Sequence, residues 1–273
     1  MKSVRPKKNL GQHFLIDQTI ASRIADTVDA CPELPVLEIG PGMGALTEYL
    51  LPKHRQLNVV EIDRESITYL NEHFPMLRGS IVEGDFLKMN LRELFGGSPF
   101  VLTGNYPYNI SSQIFFKLLD YRDHIPCCTG MIQKEVAERL TSGPGNRDYG
   151  ILSVLLGAWY DTEYLFTVPE TVFSPPPKVK SAVIRFTRNN VTQLGCDEIL
   201  FKRVVKATFN QRRKMLRVSL RPLLSLLSAE HKIDTPSSFQ EFLTQAELTK
   251  RPEQLSVDDF IRLTNEVSRL FAV

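Results

Sequence analysis

Short apolar runs recur along the first two-thirds of the chain, each followed by a turn residue and then by a stretch with helical spacing. The runs over residues 36–39, 57–62, 80–82, 100–103 and 127–132 predict strands. Helices are expected over about 45–51, 65–73 and 110–119. Asp17 reads as the N-cap of an earlier helix reaching about residue 28, with Ile20, Ile24 and Val28 on one face. Alternation at this spacing predicts a Rossmann-like α/β fold, a largely parallel sheet covered on both faces. Beyond Gly150 a further helix precedes two more strands, over 162–168 and 179–186. They are separated by Phe173-Ser174-Pro175-Pro176-Pro177-Lys178. The expected sum is a seven-stranded sheet with an antiparallel late strand. From about Asn189 strand-like runs cease, and helical periodicity is broken at Pro222, Pro236 and Pro252. The pattern divides the chain into an α/β domain over 1–188 and a small all-helical domain over 189–273.

Composition changes this picture little. The chain has 273 residues, 42% hydrophobic and 23% charged, which suits a globular protein with a substantial core. The net charge of +2 is uninformative, but its distribution is not. Lys2, Arg5, Lys7 and Lys8 precede any acid, and eight basic residues from Lys202 to Arg221 have no acid among them. Local basic stretches of this kind are the footprint of nucleic-acid contact. Cys31, Cys127, Cys128 and Cys196 form no C-x-x-C pair, so neither a zinc site nor a disulfide framework is expected. The start lacks an apolar signal core, and no run is long enough to span a membrane. A soluble, cytoplasmic protein is expected.

The most informative stretch is Asn105-Tyr106-Pro107-Tyr108, directly after an apolar strand. Ligands of open α/β sheets bind at such carboxyl ends. An exocyclic amine on a nucleobase is a poor nucleophile, because its lone pair is delocalised into the ring. Two acceptors, the Asn105 side-chain oxygen and the Tyr106 carbonyl, could hold its N–H bonds and turn the lone pair toward a methyl donor. Pro107 stiffens the turn and Tyr108 offers a face on which a base can stack. Read as a bare turn, the same residues would be ordinary, since Asn and Pro are common turn formers.

A second site lies upstream. Leu37-Glu38-Ile39-Gly40-Pro41-Gly42-Met43-Gly44-Ala45-Leu46-Thr47 reads as a strand, a glycine-rich turn and a helix start. Gly40, Gly42 and Ala45 also fit the spacing of dinucleotide enzymes. Glu38 before the turn, Glu61 ending the next strand and Asp85 after the third favour a different ligand. A carboxylate for a ribose and another for an adenine amine suit S-adenosylmethionine, and no nicotinamide site accompanies them.

Taken in order, these segments resemble the ribosomal RNA adenine N6-dimethyltransferase family, in its bacterial small-subunit (16S) form. The resemblance runs over nearly the whole chain. It is carried by Leu10-Gly11-Gln12-His13-Phe14-Leu15, residues 38–47, Glu61-Ile62-Asp63-Arg64, Asp85, residues 105–110, Gln133-Lys134-Glu135-Val136, residues 173–179 and Phe209-Asn210-Gln211-Arg212-Arg213-Lys214. It implies an S-adenosylmethionine-dependent methyltransferase with donor contacts at His13, Leu15, Gly40, Glu61, Asp85 and Asn105. Catalytic roles fall to Asn105, Tyr106, Pro107 and Tyr108, with Phe173 covering the target adenine opposite Tyr108. Tyr106 stands where the family usually has Leu, and its bulkier ring bears on how the base enters. The implied reaction is N6,N6-dimethylation of two adjacent adenosines in the 3′-terminal hairpin loop of 16S rRNA, within immature small subunits. No metal, membrane or oligomer is called for. Lys202, Arg203, Lys206, Arg212, Arg213, Lys214 and Arg217, expected on helix, form the candidate RNA-binding surface. Two other readings share much of this pattern. One is a large-subunit rRNA methyltransferase of the macrolide-resistance type. The other is an assembly or transcription factor that binds nucleic acid without catalysis.

Overall fold

A computed structural model describes Val4, Pro6, Lys7 and residues 10–232 and 237–271. The basic residues Lys2, Arg5 and Lys8 and the break at Pro236 lie outside the described residues. The chain begins with a two-residue strand β1 (Phe14–Leu15) and helix α1 (Gln18–Asp26), capped by the Asp17 side chain, which accepts from the Ile20 amide at 3.1 Å. Then follow β2 (Val36–Ile39), α2 (Thr47–Leu50), β3 (Leu57–Glu61), α3 (Arg64–His73), β4 (Ile81–Glu83), β5 (Val101–Gly104), α4 (Ser111–Asp120) and β6 (Cys127–Gln133). Next come α5 (Lys134–Leu140), α6 (Ile151–Gly157), β7 (Tyr160–Val168), β8 (Phe173–Ser174) and β9 (Ser181–Arg188). The remainder is helical: α7 (Glu198–Asn210), α8 (Leu216–Ser219), α9 (Arg221–His231), α10 (Ser237–Thr244) and α11 (Val257–Arg269).

The main sheet has the expected seven strands, in the order β4-β3-β2-β5-β6-β9-β7. Pairing is parallel from β4 through β6, and β9 runs antiparallel to both β6 and β7. Every residue of β2 and β5 is buried. Strands covered on both faces need no polar alternation, which is why these segments read as largely apolar runs. The order reverses between β2 and β5, so a crevice opens at their carboxyl ends. A small second sheet pairs β1 with β8, Leu15 opposite Phe173. Nothing in the sequence announced it, since two residues are too few to show a period.

The chain separates into two compact units, Met1–Glu138 with Tyr160–Asn189, and Arg139–Trp159 with Asn190–Val273. One division falls after residue 189, and residues 139–159 belong to the helical unit rather than to the sheet. The reason is packing. Helix α6 buries Val154, Leu155 and Leu156 and lies against α7 and α11. Tyr149 meets the Phe209 ring edge-on at 6.0 Å, and the Gly145 amide donates to the Glu253 carbonyl at 2.6 Å. Helix α11 contributes Phe260, Leu263, Thr264 and Val267, one turn apart on a buried face, and its Ser256–Asp259 capping box fixes its start.

Behind the crevice sits Tyr106, 1% exposed. Its hydroxyl donates to the Thr129 carbonyl at 2.7 Å and its ring meets Phe115 edge-on at 5.9 Å. Two glycines make the space. A Cβ on Gly104 would lie 2.6 Å from the Ile39 carbonyl. One on Gly130 would strike the Gly104 carbonyl and come within 2.7 Å of the Tyr106 ring, at a backbone φ of +144°. The ring of Tyr106 therefore packs in the core. Overpacking this junction should be costly. Gly130→Ala is expected to destabilise the protein by at least about 2 kcal/mol. Urea unfolding followed by circular dichroism checks this, and a midpoint equal to that of the unsubstituted protein would contradict it.

Candidate active site

A cavity of about 250 Å³ opens at the carboxyl ends of β2, β3, β4 and β5. Its floor is organised by Glu61, the last residue of β3, which is 4% exposed. One carboxylate oxygen accepts from the Ile62 and Asp63 amides at 2.8 and 2.9 Å, and the other from the Gly42 amide at 3.1 Å. The glycine-rich turn is thereby tied to the next strand. Gly40 and Gly42 have φ of +63° and +57°, and a Cβ on Gly42 would come within 3.1 Å of the Phe14 ring. The turn thus brings bare backbone to the cavity wall. Burial raises the Glu61 carboxyl, and its three backbone donors oppose the rise.

Glu38, buried in the middle of the sheet, also lines the cavity. Its carboxylate accepts from the Thr47 hydroxyl at 2.6 Å. Burial pushes Glu38 up to about 8, with Glu61 adding repulsion and the Thr47 bond opposing.

Asn105 follows β5 and pairs with Met131 across to β6. Its side-chain amide nitrogen donates to the His13 carbonyl at 3.1 Å. A carbonyl can only accept, so this bond fixes the orientation of the amide and leaves the Asn105 oxygen as an acceptor. His13 is held in turn. Its Nδ1 lies 2.9 Å from the Pro175 carbonyl, and its ring stacks on Tyr108 at 5.7 Å. The Tyr108 hydroxyl is 2.5 Å from the Ser181 hydroxyl, and burial raises it, so it remains a neutral phenol. Four residues distant in sequence thus fix the Asn-Tyr-Pro-Tyr turn.

Asp85 caps the short turn after β4, accepting from the Leu87 amide at 3.0 Å, and its second oxygen lies 3.7 Å from the Lys88 ammonium. The turn is anchored from α4. The Lys117 ammonium donates to the Leu87 carbonyl at 3.0 Å and the Met89 carbonyl at 2.5 Å, and lies 5.3 Å from the Phe86 ring. Burial lowers the Lys117 ammonium, and Asp85 and Asp120 oppose this. At the mouth, Ile62 lines the cavity while 52% exposed, an apolar face suited to an aromatic ring. Sequence reading missed both. Ile62 was visible as an apolar residue between two acids, whereas nothing local marks Lys117.

Of the residues singled out by sequence, His13, Leu15, Gly40, Glu61 and Asp85 all line this cavity, together with Asn105, Tyr106, Pro107 and Tyr108. Phe173 does not. It is 3% exposed, packs in the core and pairs with Leu15 through β8, so the expectation that it covers the base opposite Tyr108 is not met in this conformation. Strand pairing with Leu15 turns its aromatic ring inward.

The basic run of the helical unit is not one helix. Lys202, Arg203 and Lys206 lie on α7, Arg212, Arg213 and Lys214 in the turn after it, and Arg217 on α8. Arg203 is engaged by Glu230 through two bonds of 2.8 and 2.9 Å, and Arg212 donates to the Asn146 carbonyl at 3.2 Å. Arg213, Lys214 and Arg217 are exposed.

Comparison with known proteins gives one answer. The family model for ribosomal RNA adenine dimethylase matches residues 4–265. The chain is 65% identical over 268 residues to the Ribosomal RNA small subunit methyltransferase A of Bacteroides thetaiotaomicron, covering 98% of this chain and 96% of the relative. It is 63% identical over 267 residues to that of Phocaeicola vulgatus, covering 98% and 91%. Among solved structures, a dimethyladenosine transferase from Plasmodium falciparum superposes with a TM-score of 0.80 at 26% identity, over 94% of this chain and 98% of the other. The 23S rRNA methyltransferase ErmE superposes at 0.63 with 28% identity, over 93% and 99%.

The buried Glu38 makes stability depend on pH. Its folded value of about 8 exceeds the ordinary 4.5 of the unfolded chain, so between these the unfolded state binds fewer protons. Stability should fall by a few kcal/mol as pH rises from about 5 to about 8, then level off. Glu38→Gln should flatten that slope, as measured by urea unfolding across the range. An unchanged slope in the variant would assign the dependence elsewhere.

Proposed function

The chain belongs to the ribosomal RNA adenine dimethylase family, and from that premise we propose that its cleft dimethylates adenine N6 in small-subunit ribosomal RNA, with S-adenosylmethionine as methyl donor. The observation that carries this reading is the Asn105 amide, fixed by the His13 carbonyl with its oxygen left to accept. The residues present fit the donor. Glu61 retains acceptor capacity on the oxygen bound by Gly42, and Asp85 on the oxygen facing Lys88. Glu61 is positioned for ribose hydroxyls and Asp85 for an adenine amine, with Ile62 as an apolar platform for the ring. The acids Glu61 and Asp85 on the cavity wall suit a cation. When bound, the donor supplies a methyl group already activated on a sulfonium, so the protein needs no nucleophile of its own.

The work left to the chain is orientation. The Asn105 oxygen and the Tyr106 carbonyl hold the two N–H bonds of adenine N6, which rotates its lone pair toward the donor. Pro107 rigidifies the turn, and Tyr108 provides the stacking face, worth roughly 1–3 kcal/mol per base. That gain offsets part of the cost of unstacking the adenine. Proximity then accounts for most of the acceleration. We assign the substrate as two adjacent adenosines in the 3′-terminal hairpin loop of 16S rRNA in immature small subunits, methylated by a cytoplasmic monomer. Among the described residues no helix is long and apolar enough to cross a membrane. The exposed Arg213, Lys214 and Arg217 are the best candidates of the helical unit for phosphate contact.

The deciding experiment supplies labelled S-adenosylmethionine to unmethylated small subunits and analyses the nucleosides. Label in N6,N6-dimethyladenosine of the small-subunit RNA is expected. Label only in large-subunit RNA would shift the assignment to the type represented by the 23S methyltransferase. Asn105→Ala should lower transfer roughly 100-fold or more while donor binding is weakened but retained, and undiminished turnover would refute the role given to Asn105. Lys117→Met should release the Asp85 turn and raise the donor KM about fivefold, roughly 1 kcal/mol, with kcat little changed. An equal fall in kcat would instead place Lys117 in the methyl-transfer step.

A further inference from the structure

The carboxyl edge of the sheet is divided electrically about β5. On the β2–β4 side lie Glu61, Asp63, Glu83 and Asp85, and the neighbouring cations are consumed by them. Lys7 pairs with Asp63 at 2.5 Å, Arg64 with Glu83 at 3.1 Å and Lys88 with Asp85 at 3.7 Å. On the other side, β9 runs antiparallel to β6, so its first residue Ser181 pairs with Gln133, the last of β6. The start of β9 therefore stands at the same edge as Asn105. The segment leading into it, residues 175–180, is pinned to the active-site turn. Pro175 is bound by His13 at 2.9 Å, and Ser181 by Tyr108 at 2.5 Å. The Lys180 carbonyl accepts from the Lys134 amide at 2.9 Å.

The chain through residues 175–181 carries cations and no acid. There is no Asp or Glu between residues 171 and 196. Lys134 is shared with Glu138 at 3.4 Å, but Lys178 and Lys180 are exposed and make no ion pair among the described residues. Val179 between them is 46% exposed. A polyanion would meet unpaired cations on this side. An adenosine whose base enters past Tyr108 must leave its sugar and flanking phosphates outside the cavity, at the rim that Ser181 and Pro175 hold against the turn.

We propose that Lys178 and Lys180 form a phosphate-binding rim on the sheet unit that grips the RNA backbone next to the target adenosine. This rests on the reading of the cleft as an RNA adenine methyltransferase site. It adds a contact surface distinct from the basic residues of the helical unit. Such contacts set register on the RNA without reading sequence.

The test is a salt titration of binding to a fluorescent, unmethylated hairpin copied from the 3′ end of small-subunit RNA, using the full chain. Each single-strand phosphate contact contributes about 0.7 to the slope of log K against log salt. Lys178→Ala with Lys180→Ala should therefore lower the slope by about 1.4 between roughly 50 and 200 mM salt. The RNA KM should rise, while kcat and the donor dissociation constant stay unchanged. The double Lys→Arg variant should restore the slope. A double alanine variant that matches the unsubstituted protein in slope and RNA KM overturns the proposal. The slope needs binding only. If the unsubstituted protein bound the hairpin but transferred no methyl group to any RNA, the enzymatic reading would fall, and the lysines would still be judged by their slope.

Discussion

Three backbone amides converge on the Glu61 carboxylate, and the cleft takes its shape from that convergence. A carboxylate this deeply buried must be satisfied, and the donors available are the two amides that follow it and the Gly42 amide from the glycine turn. Meeting that demand fixes the end of β3 against the turn after β2. The turn must then be bare, because Phe14 of the N-terminal segment fills the place where a side chain on Gly42 would be. Glycine turn, second-strand acid and N-terminal segment are thus one construction rather than three motifs.

The acceptor half follows a different logic. Asn105, Tyr108 and His13 are mutually constrained through a carbonyl, a stacked pair and two hydrogen bonds to the segment before β9. None of these groups needs an altered proton affinity for its task. Their value lies in being immobile, which suits a reaction whose methyl group arrives already activated. The donor half instead holds two carboxyls raised by burial, Glu38 and Glu61. Burying ionisable groups costs stability in the donor half, whereas fixed geometry serves the acceptor half.

Much of this was legible in the sequence because the central strands β2 and β5 are buried throughout and read as largely apolar runs. The element order of the sheet and the Asn-Tyr-Pro-Tyr turn followed from that. What escaped depends on contacts between distant segments. Phe173 carries every local sign of a presented ring, yet its pairing with Leu15 turns it into the core. Tyr106 suggested an obstruction, but two glycines, one of them 24 residues further on, accept its ring. Residues 139–159 leave the sheet unit for the helical one because their partners are Phe209 and the α11 face, both more than 50 positions later. Lys117 sits in an amphipathic helix like any other lysine, and only the carbonyls of Leu87 and Met89 reveal its task.

The pairing of β1 with β8 has a bearing on how the protein comes into being. Residues 14 and 15 emerge from the ribosome ahead of the whole sheet, and their partners, 173 and 174, arrive some 160 positions later. Translation proceeds at roughly 5–20 residues per second, and folding generally begins from the N-terminal side. During that interval β2 through β6 can assemble while the segment that walls the cleft has no strand to join. Donor affinity should therefore be a late acquisition of the nascent chain, gained at one step when the rim is delivered rather than growing with the sheet.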